Sequence, residues 1–460
     1  MGARPWGRRL NSLTHTLSIA SFFQDVGLIG LALVVALGLH AVWRQSRLLP
    51  ASILAGLLLL GLGPTFLSVP QINPERFGHY LYHLLGLTFT AVGLQRVEKQ
   101  VGGRVVKLSL WIALTIGVQG VLGLTIGMLG DWITAGQVDP LYGFMLPLGF
   151  GNNPGFAYTM GTAWEALGVD DASAMGLVVG SLGFAFAYLH GVPRAQRWLA
   201  GSAESGRPAG AVQGSVHAVE ARPLAGYQTT RSSSLDSLST HLAVVGAIYA
   251  TTLYLLVSIT TWLESAGLMQ ASAILWSLHF LLANVLASLT RPWVSHPKAF
   301  VPIDLQTMQR ISGLFADLMI VTSLAAITAA FPRETFVWVG VLVLVGALVT
   351  YHWLQYLVRV DRSSSAVVDG LAMYCQMTGT LASSLAVARV IDPDYKTSLA
   401  NDLARASALS LVFGLPMIGL MVVPITVFDR SFSGYAITLT ILTLYVAALF
   451  VVLRYVYRSK

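Results

Sequence analysis

The sequence predicts an all-α polytopic membrane protein: two inverted repeats of five transmembrane helices, each with a re-entrant hairpin, and one extra C-terminal helix. Composition is the first reason, since 55% of the 460 residues are hydrophobic and 11% are charged, whereas soluble domains carry about 25% charged residues. Long apolar runs recur along almost the whole chain. Two apolar segments also contain turn residues, which a continuous membrane helix avoids.

Eleven segments are apolar over about the 20 residues that one helical crossing needs. They are residues 25–43, 51–68, 78–95, 108–130, 172–192, 238–262, 270–290, 308–330, 336–358, 398–427 and 434–456. Residues 141–168 and 366–390 are apolar enough to enter the bilayer but too broken to cross it as one helix. We expect each of them to enter the membrane and return to the same side as a re-entrant hairpin.

The remaining segments define the domain order. Residues 201–236 are rich in Gly, Ser, Ala and Pro, which is typical of a flexible linker, here cytoplasmic. The predicted order is an N-terminal arm (1–24), a first repeat (25–200), the linker (201–236), a second repeat (237–428) and an extra helix (429–460). Five crossings per half invert the second half, and such repeats are typical of secondary transporters. Residues 154–171 resemble 378–395 in position, small-residue content and an acidic end, which supports a duplication.

The net charge of +7 is distributed by membrane side, so we expect no nucleic-acid binding. With the N-terminus outside, the predicted inner loops hold Arg44, Arg47, Arg96, Lys99, Arg104, Lys107, Arg194, Arg197, Arg291, Lys298, Arg359, Arg362, Arg389 and Lys396. The predicted outer loops hold Arg76, Arg333 and Arg430. This bias follows the positive-inside rule. Arg4, Arg8 and Arg9 do not fit it, and we assign them to an arm lying on the membrane surface.

Enzyme-type chemistry has no sequence signal here. The single cysteine, Cys375, excludes a disulfide within the chain and a multi-cysteine metal site. Nucleophile motifs, phosphate-binding glycine loops and hydrolase-type carboxylate pairs do not stand out, so we expect neither an enzyme nor a resident cofactor. His79 and His83 have the i, i+4 spacing of a metal or haem site, but with no facing histidine pair we favour two residues at a helix mouth.

The tips of the two predicted hairpins are the candidate binding site. Half-helix N-termini attract anions there, and unwound carbonyls with hydroxyls coordinate sodium. The candidate substrate-binding residues are Asn152, Asn153, Gly155, Thr378, Gly379, Thr380, Ser383 and Arg405; Thr159, Thr162 and Ser384 lie close by in sequence, and Thr159 and Ser384 are assigned to ion coupling. The alternatives are an ordinary loop at the first tip and close helix packing by small residues at the second.

Polar residues within predicted spans add candidates for ion coupling. Asp317 lies near the middle of a span, where a buried carboxylate marks an ion pathway or pairs with a cation. Gln119, and similarly Asn284, could face a polar cavity or bond across a helix interface. Asp402 and Arg405 lie one turn apart and could form a surface ion pair; alternatively Arg405 holds a substrate carboxylate and Asp402 joins the ion pathway.

The order of several motifs resembles the bacterial sodium/glutamate symporter family over roughly residues 25–425. "DPLYG" (139–143) leads into the first predicted hairpin, and "HGVP" ends at Pro193, where the family has Gly-Gly-Pro. Gln119 matches the family's glutamine, and "YCQMTGTLASSLAVA" places Cys375 as the family does. "LPASILAG" and the run "MGTAWEALGVDDASAMGLVVGSLGFAFAYL" are also similar to family segments.

The two hairpin tips depart from the family. "GFGNNPGF" replaces a "GGHGT" motif and lacks its histidine, and "QMTGTLASS" replaces "GFGLGATP". The resemblance implies a homodimer in the bacterial inner membrane with a fixed scaffold and a moving, elevator-type transport unit. It also implies sodium-coupled uptake of glutamate or a related organic anion. The alternatives are a proton-coupled carrier of another organic anion and a membrane scaffold or receptor that has lost transport.

Overall fold

The protein is an all-helical, multi-pass membrane protein. The computed structural model describes residues 19–43, 49–95, 102–204, 236–294, 303–328, 333–392 and 397–458, and every regular element in these ranges is a helix. The α-helices are α1 Ile19–Val42, α2 Ala51–Leu62, α3 Pro74–Leu94, α4 Gly103–Thr134, α5 Met145–Gly149, α6 Pro154–Ala166, α7 Ala172–Phe186, α8 Val192–Glu204, α9 Ser237–Ser265, α10 Met269–Ser277, α11 His279–Val294, α12 Leu305–Ala325, α13 Arg333–Val360, α14 Ala366–Thr378, α15 Leu381–Ile391, α16 Leu399–Thr426 and α17 Phe432–Arg458. A 3₁₀ turn, Pro140–Phe144, precedes α5, and a π-helical turn, Ala187–Gly191, joins α7 to α8.

Seven helices in the described ranges are long and apolar enough to cross a membrane, or eight if the bent pair α10–α11 counts as one span. The predicted spans 51–68, 78–95 and 308–330 are helical but are not among them. For α2 the reason is length, because its 12 residues extend about 18 Å, less than the roughly 30 Å of a hydrocarbon core. The multi-pass class therefore holds, and the count of eleven crossings stays a prediction.

The described residues pack into two compact units. Unit 1 lies within Met1–Arg96, Tyr158–Leu177 and Pro223–Ala330, and unit 2 lies within Val97–Ala157, Val178–Arg222 and Phe331–Lys460. Each unit takes segments from both halves of the chain. The two predicted repeats are thus not the compact units of the structure, because residues far apart in sequence pack within each unit.

Three boundaries differ from the predictions. Among the described residues, α1 already includes Ile19, which lies inside the predicted arm, and α8 continues to Glu204, past the predicted linker start. The rest of the arm and residues 205–235 of the linker lie outside the described residues, as do Arg44, Arg47, Arg96, Lys99, Lys298 and Lys396. The predicted span 51–68 ends its helix at Leu62, because Gly63 and Pro64 follow.

The predicted single span 270–290 is bent by 65° between α10 and α11. At the bend the Tyr82 hydroxyl donates to the Trp276 carbonyl oxygen at 2.7 Å. The His279 ring stacks on Tyr82 with ring centroids 3.7 Å apart. A side chain that takes a helical carbonyl interrupts the regular ladder of hydrogen bonds, and this is a known cause of kinks.

The "DPLYG" stretch is a turn that packs tightly on α4. Asp139 begins the 3₁₀ turn, because its carboxylate accepts a hydrogen bond from the Leu141 amide at 2.9 Å. A Cβ atom added at Gly143 would collide with the Gly123 carbonyl, and one added at Gly123 would collide with the Gly143 carbonyl. This pair of glycines lets two backbone segments touch, as small residues do at helix interfaces in membranes.

We predict that Gly123→Ala destabilises the protein, because the added methyl group meets backbone atoms that cannot rotate away. The expected cost is about 1–3 kcal/mol, the range for overpacked sites. Gly419→Ala is the matched control, since a Cβ atom there meets nothing within 4 Å. Thermal unfolding of the purified protein in detergent measures both variants. Equal melting temperatures for Gly123→Ala and Gly419→Ala would contradict the contact.

Candidate functional site

The first predicted tip lies at an interruption between α5 and α6. Residues 150–153 separate the two helices, and Pro154 and Gly155 are the first residues of α6. The Asn152 side-chain amide donates to the Pro147 carbonyl oxygen at 3.0 Å. The Asn153 side-chain oxygen accepts from the Phe156 amide at 2.8 Å, which caps α6. Both asparagines, the strongest substrate candidates from sequence, therefore bind neighbouring backbone groups.

The second predicted tip lies at an interruption between α14 and α15. Helix α14 ends at Thr378, whose hydroxyl donates to the Tyr374 carbonyl oxygen at 2.8 Å. Gly379 and Thr380 follow, and Thr380 precedes α15 without forming a side-chain cap. In the described part of the chain, the hydroxyl oxygens of Thr380 and Ser383 are buried and have no hydrogen-bond partner. They are therefore available to a ligand.

Gln119 of α4 joins the two interruptions. Its side-chain amide nitrogen donates to the Met377 carbonyl oxygen at 2.8 Å and to the Thr350 hydroxyl at 3.0 Å. Its side-chain oxygen is buried and has no partner among the described residues. A Cβ atom added at Gly151, in the first interruption, would lie 2.7 Å from that oxygen. The amide thus contacts the second interruption while its free oxygen lies beside the first.

Gly183 of α7 is a second point of contact between the interruptions. A Cβ atom added there would collide with the Thr378 carbonyl oxygen and lie 2.9 Å from the Phe150 ring. Phe150 belongs to the first interruption and Thr378 to the end of α14. Both interruptions therefore lie within unit 2 on either side of Gln119 and Gly183. We refer to Gln119, Thr380 and Ser383 as the oxygen site.

Ser384 lies in a separate chain of polar contacts beside the oxygen site. Its hydroxyl lies 3.2 Å from the Gln376 side-chain oxygen. The Gln376 amide nitrogen donates to the Ser407 hydroxyl at 2.7 Å. These contacts connect α15, α14 and α16, so Ser384 has a side-chain partner, whereas the Thr380 and Ser383 hydroxyl groups have none among the described residues.

Two predicted ion-coupling residues are assigned to a different compact unit from the oxygen site. Asp317 is exposed on α12, so the expectation of a buried carboxylate is wrong; the sequence shows its depth along a helix but not its face. Thr159 is buried, but both it and Asp317 belong to unit 1.

Asn284 donates to the Phe89 carbonyl oxygen at 3.1 Å, which is a bond across a helix interface. His83 bonds the Tyr249 hydroxyl through its Nδ1 atom at 2.9 Å.

Asp402 belongs to a buried ionic cluster that we did not predict from the sequence. The Lys107 ammonium group lies 2.6 Å from Asp361 and 2.8 Å from Asp369. Arg104 bonds Asp369 and also reaches Asp402 at 3.3 Å. The cluster, defined as Arg104, Lys107, Asp361, Asp369 and Asp402, holds α4 to the start of α14 and to α16. The paired aspartates of "DRSSSAVVDG" (361–370) are the sequence signal for it.

Two charges assigned to outer loops are also paired. Arg76 bonds Asp25, which is fully buried in α1, at 2.7 Å, so it fixes α1 to α3. Arg430 reaches Asp139 at 3.3 Å. Burial raises the pKa of the Asp139 carboxyl group above its ordinary value, and the nearby Arg430 charge opposes that shift. The positive charges thus serve packing as well as membrane orientation.

Comparison with known proteins gives no relative: no protein-family model, curated protein sequence or solved structure matches this chain.

We predict that the Asn153 side chain acts as a helix cap and not as a substrate ligand. Asn153→Ala removes the cap and is expected to cost about 1 kcal/mol of stability. Asn153→Ser keeps a capping oxygen and should stay close to the wild type in melting temperature and in ligand binding. If Asn153→Ser behaves like Asn153→Ala in both measurements, the amide itself has a role that the cap does not explain.

We also predict that Lys107→Met strongly destabilises the protein, because it leaves two buried carboxylates short of a cation. Breaking a buried ion pair in this way costs about 3–5 kcal/mol. The double variant Lys107→Met/Asp361→Asn should recover part of the loss, since it removes one of the carboxylates. Arg359→Met, at an exposed position of α13, is the control. Denaturation in detergent micelles compares all three, and equal stability of Lys107→Met and Arg359→Met would refute the cluster's role.

Proposed function

We propose that the protein is a secondary active transporter that carries a small organic anion, such as glutamate, together with sodium across the bacterial inner membrane. One observation carries this proposal. Gln119 contacts both interruptions, and three oxygens are buried without a partner among the described residues: its own side-chain oxygen and the hydroxyl oxygens of Thr380 and Ser383, at and just after the second interruption. Membrane proteins tolerate irregular backbone at depth where it lines a cavity or a binding site.

The chemistry of the oxygen site is suited to both proposed ligands. Neutral side-chain and carbonyl oxygens are the ligands that hard cations such as sodium prefer, and the carbonyl end of α14 lies beside Gln119. The amino end of α15 follows Thr380, and a helix amino end attracts a negative group. Anion and cation would thus bind next to each other at one interruption, which is an economical basis for coupling their transport.

The division into units supports the proposed duplication. Counting predicted crossings, the first three of each half belong to unit 1. The fourth crossing, the interrupted segment and the fifth crossing of each half belong mainly to unit 2. The exception is Tyr158–Leu177, which covers the end of the first interrupted segment and the start of the following crossing and belongs to unit 1. If the two halves arose by duplication, corresponding crossings of each half would belong to the same unit, as they do here. On this proposal α5–α6 and α14–α15 are re-entrant hairpins in inverted repeats.

The resemblance to sodium/glutamate symporters adds the mechanism to this proposal. Unit 2 would be the transport part that moves in an elevator-type cycle, and unit 1 the fixed scaffold through which two copies dimerise. Both tips differ in sequence from the family motifs, so the identity of the anion is the least constrained part of the proposal. Every version of the proposal requires a negatively charged substrate and a cation gradient.

We predict sodium-dependent uptake of radiolabelled glutamate by proteoliposomes that contain the purified protein. Gln119→Ala and the double variant Thr380→Ala/Ser383→Ala should each weaken sodium activation about tenfold, the effect of losing about 1.4 kcal/mol of binding. Thr440→Ala is the matched control, because its exposed hydroxyl contacts its own helix at Ala436. Absence of gradient-dependent uptake of glutamate, aspartate and succinate would refute the transport proposal. Uptake driven by a proton gradient alone would refute sodium coupling.

A further inference from the structure

A group of donor-rich side chains lies on unit 2 one helical turn before the second interruption. We call His190, Arg194, Tyr351 and Tyr374 the cationic cluster. The Arg194 guanidinium carbon lies 4.7 Å from the centroid of the Tyr351 ring. The His190 ring centroid lies 5.2 Å from those of both Tyr351 and Tyr374, and the two tyrosine rings lie 5.7 Å apart. The cluster therefore joins the π-helical turn, α8, α13 and α14.

The π-helical turn explains how this cluster reaches α14. Gly191 ends the turn, and a Cβ atom there would collide with the Cys375 sulfur and lie 3.2 Å from the Tyr374 ring. The Cys375 thiol donates to the Ala187 carbonyl oxygen at 3.4 Å. Tyr374 in turn accepts the hydrogen bond of Thr378, the last residue of α14. Local π-helical turns often occur at functional sites, and this one places His190 beside the interrupted helix.

Arg194 differs from the paired cations of this protein in its contacts. Arg76, Arg104, Lys107 and Arg430 each bond an aspartate. Within the described part of the chain, the contacts of Arg194 are the Tyr351 ring and the His190 Nε2 atom, at 3.2 Å. A guanidinium group can only donate, so Nε2 accepts and the proton of His190 lies on Nδ1. That Nδ1 atom is buried and has no partner in the described residues.

In the described part of the chain, the cluster therefore offers hydrogen-bond donors that form no ion pair with a carboxylate. The planar guanidinium group matches the two oxygens of a carboxylate, and its stacking on Tyr351 fixes its orientation. We propose that the cationic cluster is a carboxylate-binding site, in which Arg194 and His190 bind an acid group of the transported anion. This inference rests on the proposed transport function and names the residues that select its anionic substrates.

Arg194 variants test the site directly. In neutral detergent, isothermal titration with L-glutamate and succinate should show binding to the wild type. L-glutamine, whose side chain carries an amide in place of the second carboxylate, should bind at least tenfold more weakly. Arg194→Gln should weaken glutamate binding at least tenfold, and Arg194→Lys by less. In uptake assays Arg194→Gln should raise the KM for glutamate with little change in the maximal rate. Arg197→Gln, which removes the same charge from the same helix, should stay within twofold of the wild type.

The controls separate this inference from its rivals. Melting temperatures without ligand show whether Arg194→Gln is folded. If it is not, Arg194→Lys provides the binding comparison, and glutamate binding equal to the wild type in that variant overturns the inference. Glutamate binding that survives in Arg194→Gln overturns the inference, and sodium-driven uptake in that variant leaves the transport proposal intact. A third result is possible: the wild type binds carboxylates but shows no uptake, and Arg194→Gln loses the binding. That result supports the site and refutes the transport proposal. If the wild type in phosphatidylcholine nanodiscs binds no carboxylate and responds only to added phosphatidylglycerol, Arg194 binds lipid phosphate and the proposed site is wrong.

Discussion

A polar backbone group that leaves a helix inside hydrocarbon needs another partner, and this constraint determines where the polar side chains of unit 2 lie. Asn152 and Asn153 bind the backbone around the first interruption, and Gln119 binds the Met377 carbonyl at the second. These three side chains form hydrogen bonds with backbone groups near the two helix interruptions. The proposed binding site differs from an ordinary helix break in the buried oxygens of Gln119, Thr380 and Ser383, which have no partner among the described residues.

Charge follows the same constraint. Lys107 is buried and lies between two aspartates, so its position is set by their charge as much as by the side of the membrane on which it lies. A count of positive charges along the sequence treats Lys107 and Arg194 alike. Their contacts differ, because Lys107 is neutralised by carboxylates and Arg194 contacts an imidazole and a phenol ring in the described residues. This difference separates a charge that stabilises packing from one that is available to an anion.

Local patterns in the sequence predicted the helices and both interruptions well. Gly151–Asn153 and Gly379–Thr380 were recognisable because turn residues within an apolar run indicate that the helix stops there. The sequence could not show the bend at Leu278, because it depends on Tyr82 from another helix. The pairing of Arg104 with Asp369 and the exposed face of Asp317 depend on tertiary packing in the same way. The backbone partners of Asn152 and Asn153 were not predicted, because a helix cap and a ligand contact use the same atoms.

The location of these groups within one unit bears on how transport could work. The oxygen site, the ionic cluster and the cationic cluster all consist of residues of unit 2. A site formed within one compact unit keeps its hydrogen bonds when that unit moves as a body, whereas a site shared by two bodies changes shape with every movement. In the proposed transporter, movement of unit 2 would therefore carry the proposed anion and cation sites together. The ionic cluster would hold the start of α14 against α4 and α16 during that movement, so that Gln119 and Met377 stay in contact.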